Sequence, residues 1–144
     1  MLEKPSLMTR IVAGKAVGFA FGLLGFILLP VFVPGVGWLL RFGILFWYTT
    51  LGAIIAVFGV FDWHPVFKLR LPVWLMAPFI GAWMNFLLVL FAHDALGRVL
   101  VAVFGANGLL HSPYWFSLEG AFVGFVIGWV ATSLGGSGPA TAGW

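Results

Sequence analysis

The chain has 144 residues, 62% hydrophobic and 8% charged, with a formal net charge of +3 and no cysteine. Four stretches, Val12 to Leu40, Phe42 to Phe61, Leu71 to Ala92 and Tyr114 to Leu134, contain just two side chains charged at neutral pH, Lys15 and Glu119. About 20 apolar residues cross a hydrocarbon core of roughly 30 Å, so this composition excludes a soluble catalytic domain, and the lack of cysteine excludes disulfides, thiolate nucleophiles and cysteine-held metals.

The expected fold is therefore an all-α integral membrane protein, a single transmembrane domain spanning residues 1–144, with four transmembrane helices in an antiparallel bundle. The seven Lys and Arg residues are scattered at the edges of the apolar runs, without the basic stripe that nucleic-acid binding needs. They report topology instead. With a cytoplasmic N-terminus, Lys4, Arg10, Lys15, Lys68 and Arg70 lie inside, and Arg41 and Arg98 outside. That bias places both chain ends in the cytoplasm by the positive-inside rule. The first apolar run continues past Pro30 without a small-residue cleavage signature, so it reads as a retained helix. With no transit peptide evident, the expected location is a bacterial inner membrane.

In chain order, helix one is expected over about 9–33. Pro34-Gly35-Val36-Gly37 then makes a tight return, proline presetting one turn position and glycine accepting positive φ at another. So short a link brings helix two, about 38–61, against helix one. Asp62-Trp63-His64-Pro65 closes it, and Val66 to Leu71 alternates apolar residues with Lys68 and Arg70. Such a pattern suits a segment lying among lipid headgroups. Helix three opens at Pro72 and runs to about 92. Asp94 can then cap a short interfacial helix over about 95–104, too short to span at 1.5 Å per residue. Asn107-Gly108 turns the chain, and Pro113 starts helix four, which ends near 134. The Gly/Ser-rich remainder, 135–144, is flexible by composition. Trp47, Thr49, Gly52 and Ala53 recur at a constant offset as Trp115, Ser117, Gly120 and Ala121. Two readings stand: a weak parallel 2+2 repeat, or the chance likeness of helix starts in so biased a composition.

Gly14, Gly18 and Gly22 in helix one, and Gly120, Gly124 and Gly128 in helix four, recur at every fourth residue and so share a helix face, as in a glycine zipper. Because lipid supplies no hydrophobic drive between helices, such faces are packing surfaces. One reading packs helices one and four together within the chain; the other sets a stripe between subunits. Asn85 sits centrally among Pro78, Gly81, Ala82 and Ala92 on helix three, and its amide is expected to face another helix. Helix two shows a comparable face in Arg41, Tyr48, Gly52 and Gly59. Tryptophans and tyrosines near helix ends form the interfacial aromatic belt.

Arg41, Asn85 and Glu119 make up the intramembrane polar site expected from the sequence. Glu119 lies roughly 9 Å beyond Pro113 along its helix, where a carboxyl needs a partner or a proton, and Arg41 is the natural one. Such a group is either an ion pair joining helices two and four or the titrating group of a transport site. His93, Asp94, Arg98 and His111 form a second, outer-surface polar cluster whose spacing matches no zinc signature. No cofactor is implied. With neither paired carboxylates nor a phosphate loop, an enzyme is not expected. The favoured function is a non-catalytic accessory or assembly subunit of a larger membrane complex, partnered by lipids and by other membrane subunits or itself. The alternative is a small oligomeric channel or an ion- or proton-coupled transporter using Glu119, Arg41 and Asn85.

Overall fold

Apolar surroundings leave backbone amides and carbonyls no partner but one another, and a helix satisfies them within one segment. The computed structural model, which describes residues 5–143, is accordingly mostly helical. Four of its helices are long and apolar enough to cross a membrane. They are α1 (Leu7–Phe32), α2 (Trp38–Phe58), α3 (Val73–Phe104) and α4 (Phe116–Gly135), the last preceded by a 3-10 turn at Pro113–Trp115. Lys4 and Trp144 lie outside the described residues.

Ser6 caps α1, its hydroxyl accepting the Thr9 amide at 3.3 Å. Pro30 sits in the last turns of that helix and has no N–H to offer the carbonyl four residues back, Phe26. Arg41 supplies the missing donor, with its Nε 3.0 Å from that oxygen. The return between α1 and α2 then needs a positive φ, which Gly35 takes at 83°.

Asp62 to Leu71 is more ordered than the expected headgroup segment. Two short strands, β1 (Trp63–His64) and β2 (Leu69–Arg70), pair antiparallel, Trp63 opposite Arg70 and His64 opposite Leu69. Lys68 takes a left-handed φ of 50° at the turn. Asp62 and Arg70 stand 4.0 Å apart across the hairpin base, and the Leu71 amide bonds the Asp62 carbonyl at 2.9 Å.

The segment expected as a separate helix over 95–104 is continuous with α3. Ala92 alone leaves helical geometry (φ −118°, ψ 21°), so the expected boundary survives as a kink. The expected flexible tail is also tied down over its described part. The Gly138 amide bonds the Gly59 carbonyl at 2.9 Å, Pro139–Ala142 forms a 3-10 turn, and Thr141 is buried beneath it.

Both glycine stripes face a sequence neighbour, which differs from either expectation for them. A Cβ added at Gly14 would run into the Gly52 carbonyl, one at Gly18 into that of Tyr48, and one at Gly22 into that of Leu45, all on α2. In the second half, Gly120 meets Gly81, Gly124 meets Ala77, and Gly128 meets the Ala77 side chain, all on α3. Rising numbers on one helix meet falling numbers on the other in both halves. Gly14 with Gly52, and Gly81 with Gly120, are reciprocal: each blocks a Cβ on the other with its own carbonyl oxygen. Between the halves lies a dry layer of Leu51, Ile55, Val123 and Ile127, each at most 1% exposed.

Candidate functional site

Polar side chains gather on either side of that layer, roughly 12 Å apart along α2 at 1.5 Å per residue. The first group centres on Asn85, which is fully buried. Gly81 and Gly120 bring α3 and α4 so close that the Asn85 amide reaches the carbonyl of Phe116, the first residue of α4, at 2.9 Å. The same nitrogen lies 3.0 Å from the Tyr48 hydroxyl and 2.8 Å from Glu119 Oε2. Its carbonyl oxygen accepts the Trp47 indole N–H at 3.1 Å. Tyr48 donates to Glu119 Oε2 at 2.5 Å. Asn85 thus joins α2, α3 and α4 with every polar atom used.

Glu119 stands in the first turn of α4, where exposed amide groups and the helix dipole favour an acid. Its surroundings correct the expected pairing with Arg41. That guanidinium is committed to α1: besides the Phe26 carbonyl, it lies 4.2 Å from the ring centres of both Phe26 and Trp38. Among the described residues, the acid–base contacts are Asp62 with Arg70 and His93 with Asp94, and neither involves Glu119. Asn85 and Glu119 are therefore brought together, with Tyr48 in the place assigned to Arg41.

Tyr48 and Glu119 lie at one edge of an apolar pocket of about 270 Å³. The second expected cluster does assemble, in a separate and shallower cleft. His93, Asp94, Arg98 and His111 line a depression of about 580 Å³ beside Pro113, and all four are exposed. His93 Nδ1 is 3.3 Å from Asp94 Oδ1, and His111 Nδ1 is 3.0 Å from the Gly108 carbonyl. Among the described residues, no three His, Cys, Asp or Glu side chains stand together as metal ligands.

Beyond the dry layer is Arg10, which the sequence suggested only as an interfacial cation. It is 0% exposed and is the largest fully buried side chain. Its Nε donates to the Ala56 carbonyl at 2.9 Å, and Nη1 donates to Thr132 Oγ1 at 3.0 Å and to the Gly136 carbonyl. The Val60 amide bonds Val57 rather than Ala56, so Ala56 is one of the orphan carbonyls left at a helix end. Gly59 and Gly135 leave the space the guanidinium occupies, since a Cβ at either would strike Arg10. A readable signal existed: Arg10 extends the series Gly14, Gly18, Gly22 backwards by one step. Tyr48 likewise stands one turn before Gly52.

The fold and these two polar groups define a helical protein with four helices able to cross a membrane and two clusters of buried polar side chains. No family model, curated protein or solved structure matches the chain.

Proposed function

We propose that this protein is a non-catalytic accessory or assembly subunit of a larger membrane complex. Its four helices would cross the bilayer as an antiparallel bundle of two related hairpins, with both ends cytoplasmic. The observation that carries this reading is the dry layer of Leu51, Ile55, Val123 and Ile127, each at most 1% exposed, which stands between the two polar groups inside one chain. The reciprocal glycine pairs support the repeat, because Gly52 and Gly120 are also equivalent in the sequence correspondence. Large apolar side chains such as Phe46, Phe79, Phe91, Phe122 and Trp129 are more than half exposed on the helices, a surface suited to lipid or to neighbouring transmembrane helices. The segment of α3 beyond the Ala92 kink would lie at the outer surface.

The test is the composition of the particle extracted in mild detergent. Unrelated chains co-purifying at fixed ratio support the subunit reading, while a closed homo-oligomer overturns it. Tags at the two ends reporting opposite compartments would overturn the topology.

A second reading, a small oligomeric channel or coupled transporter, is favoured by one observation. Glu119 is an exposed carboxyl in a spanning helix with no cationic side chain beside it among the described residues, and ionisable groups at such depth commonly serve transport. Solute flux into vesicles that is lost in Glu119→Gln, with folded protein retained, would favour it.

A further inference from the structure

Among the described residues, the hydrogen bonds to the Glu119 carboxyl all end on Oε2. Oε1 receives none from them, yet the residue is exposed and borders the 270 Å³ pocket. The rest of that pocket is hydrocarbon, with walls from Phe21, Leu24 and Leu28 on α1, Ile44 on α2, and Leu96 and Val99 on α3. Leu24, Leu28 and Glu119 are its exposed members, so the mouth lies between α1 and α4. Phe21 also meets Phe122 of α4 edge-on, with ring centres 6.4 Å apart.

An apolar cavity with a few convergent polar groups at one end is the usual form of a small-molecule site. Here the polar end is acidic, and the described residues provide no cation to balance it. Charged groups away from water are normally paired, and Arg41, the one cation that sequence placed nearby, is held by Phe26 and Trp38. The volume falls just below the range of roughly 300–1,000 Å³ typical of drug-sized ligands, enough for one alkyl chain and too little for a two-chain lipid.

From this geometry we infer that the pocket binds a single-chain lipophilic amine, its ammonium group on Glu119 Oε1 and its chain against Leu24, Leu28 and Ile44. The ammonium supplies the missing positive charge, and its hydrogen bond to a carboxylate is of the charge-assisted kind. The alkyl chain gains by filling a cavity whose lining otherwise lacks contacts on one side. The inference does not depend on whether the chain works as a subunit or as a transporter.

The test uses the full chain in phosphatidylcholine nanodiscs, titrated with decylamine and, separately, with decanol. Trp47, hydrogen-bonded to Asn85 beside the site, gives a fluorescence signal, and empty nanodiscs correct for partitioning into lipid. Decylamine is expected to bind saturably at one per chain, at least tenfold tighter than decanol. Glu119→Gln should weaken the amine at least tenfold and leave the alcohol unchanged, whereas Leu28→Phe, which narrows the pocket, should weaken both. Equal affinity for amine and alcohol in the native chain overturns the proposal, as does the absence of saturable binding. That comparison needs no variant to fold. Displacement of decylamine by phosphatidylethanolamine added to the discs would overturn the single-chain assignment in favour of a lipid headgroup.

Discussion

Arg10 is buried and Glu119 exposed at the edge of a pocket, they carry opposite charges, and among the described residues neither has a charged side chain as partner. Arg10 donates to carbonyls where α2 and α4 finish, while Glu119, in the first turn of α4, accepts from the side chains of Tyr48 and Asn85. A helix carries about half a unit charge at each terminus, so the ends converging on Arg10 can replace a counter-ion there. The difference between the sites lies in closure. Arg10 is sealed, with Nη2 packed against Gly59 and lacking even a hydrogen-bond acceptor. Glu119 lines a pocket, and among the described residues its Oε1 receives no hydrogen bond. The first arrangement spends its hydrogen bonds on holding α1, α2, α4 and the tail together, while the second leaves one unspent for a ligand.

The sharpest way to break this comparison is to remove Arg10. Arg10→Met would leave the Ala56 and Gly136 carbonyls and Thr132 without their donor. Each buried polar group left unpaired costs about 1–3 kcal/mol, so we expect a loss of at least about 3 kcal/mol, read as a lower unfolding midpoint in detergent. Arg10→Lys should recover only part, because one ammonium cannot span the three acceptors as the planar fork does. No loss in Arg10→Met would mean the cage is incidental.

Next come the paired glycines. Gly52→Ala and Gly81→Ala each push a methyl against a backbone carbonyl of the facing helix, where nothing flexible can yield. About 1–3 kcal/mol is expected for each. Gly43→Ala, which meets open space, should be neutral or slightly stabilising because alanine is the better helix former. Equal effects at all three positions would show that close approach is not what selects glycine.

A smaller loss is expected from Asn85→Leu. It breaks the link among three helices, but interhelical polar contacts in membranes average below about 1 kcal/mol and reach roughly 2. Tyr48→Phe should cost about 1 kcal/mol at most. Smallest of all is the coupling between Arg41 and Glu119. A double-mutant cycle of Arg41→Gln with Glu119→Gln should give an interaction energy within about 0.5 kcal/mol of zero, as for sites without shared partners. A larger value would restore the pairing that sequence alone suggests.

Much of the backbone was readable in advance. The apolar runs located the four helices to within a few residues, except at the end of α3, where the chain bends at Ala92 and continues as helix. Pro34 and Gly35 announced the tight return, because their restrictions on φ act locally. Asn85 was legible as an inward-facing amide for a similar reason, since its cost in lipid depends on residue type alone. The hairpin at Asp62–Leu71 was not legible. Its strands are two residues long, too short for any periodicity to register.

What sequence determined by itself was the solvent, the number of helices and the small-residue faces along them, because helix formation and lipid transfer are properties of a segment. Only the tertiary structure decided which helix each face meets and what each charge touches. A stripe of glycines fits any partner that can approach closely, and α1 found it in α2 across a tight turn. Arg10 is met by peptide carbonyls, which every residue carries and no residue code marks, whereas Glu119 is met by the Tyr48 hydroxyl and the Asn85 amide from two other helices. Both sets become partners only where the helices converge.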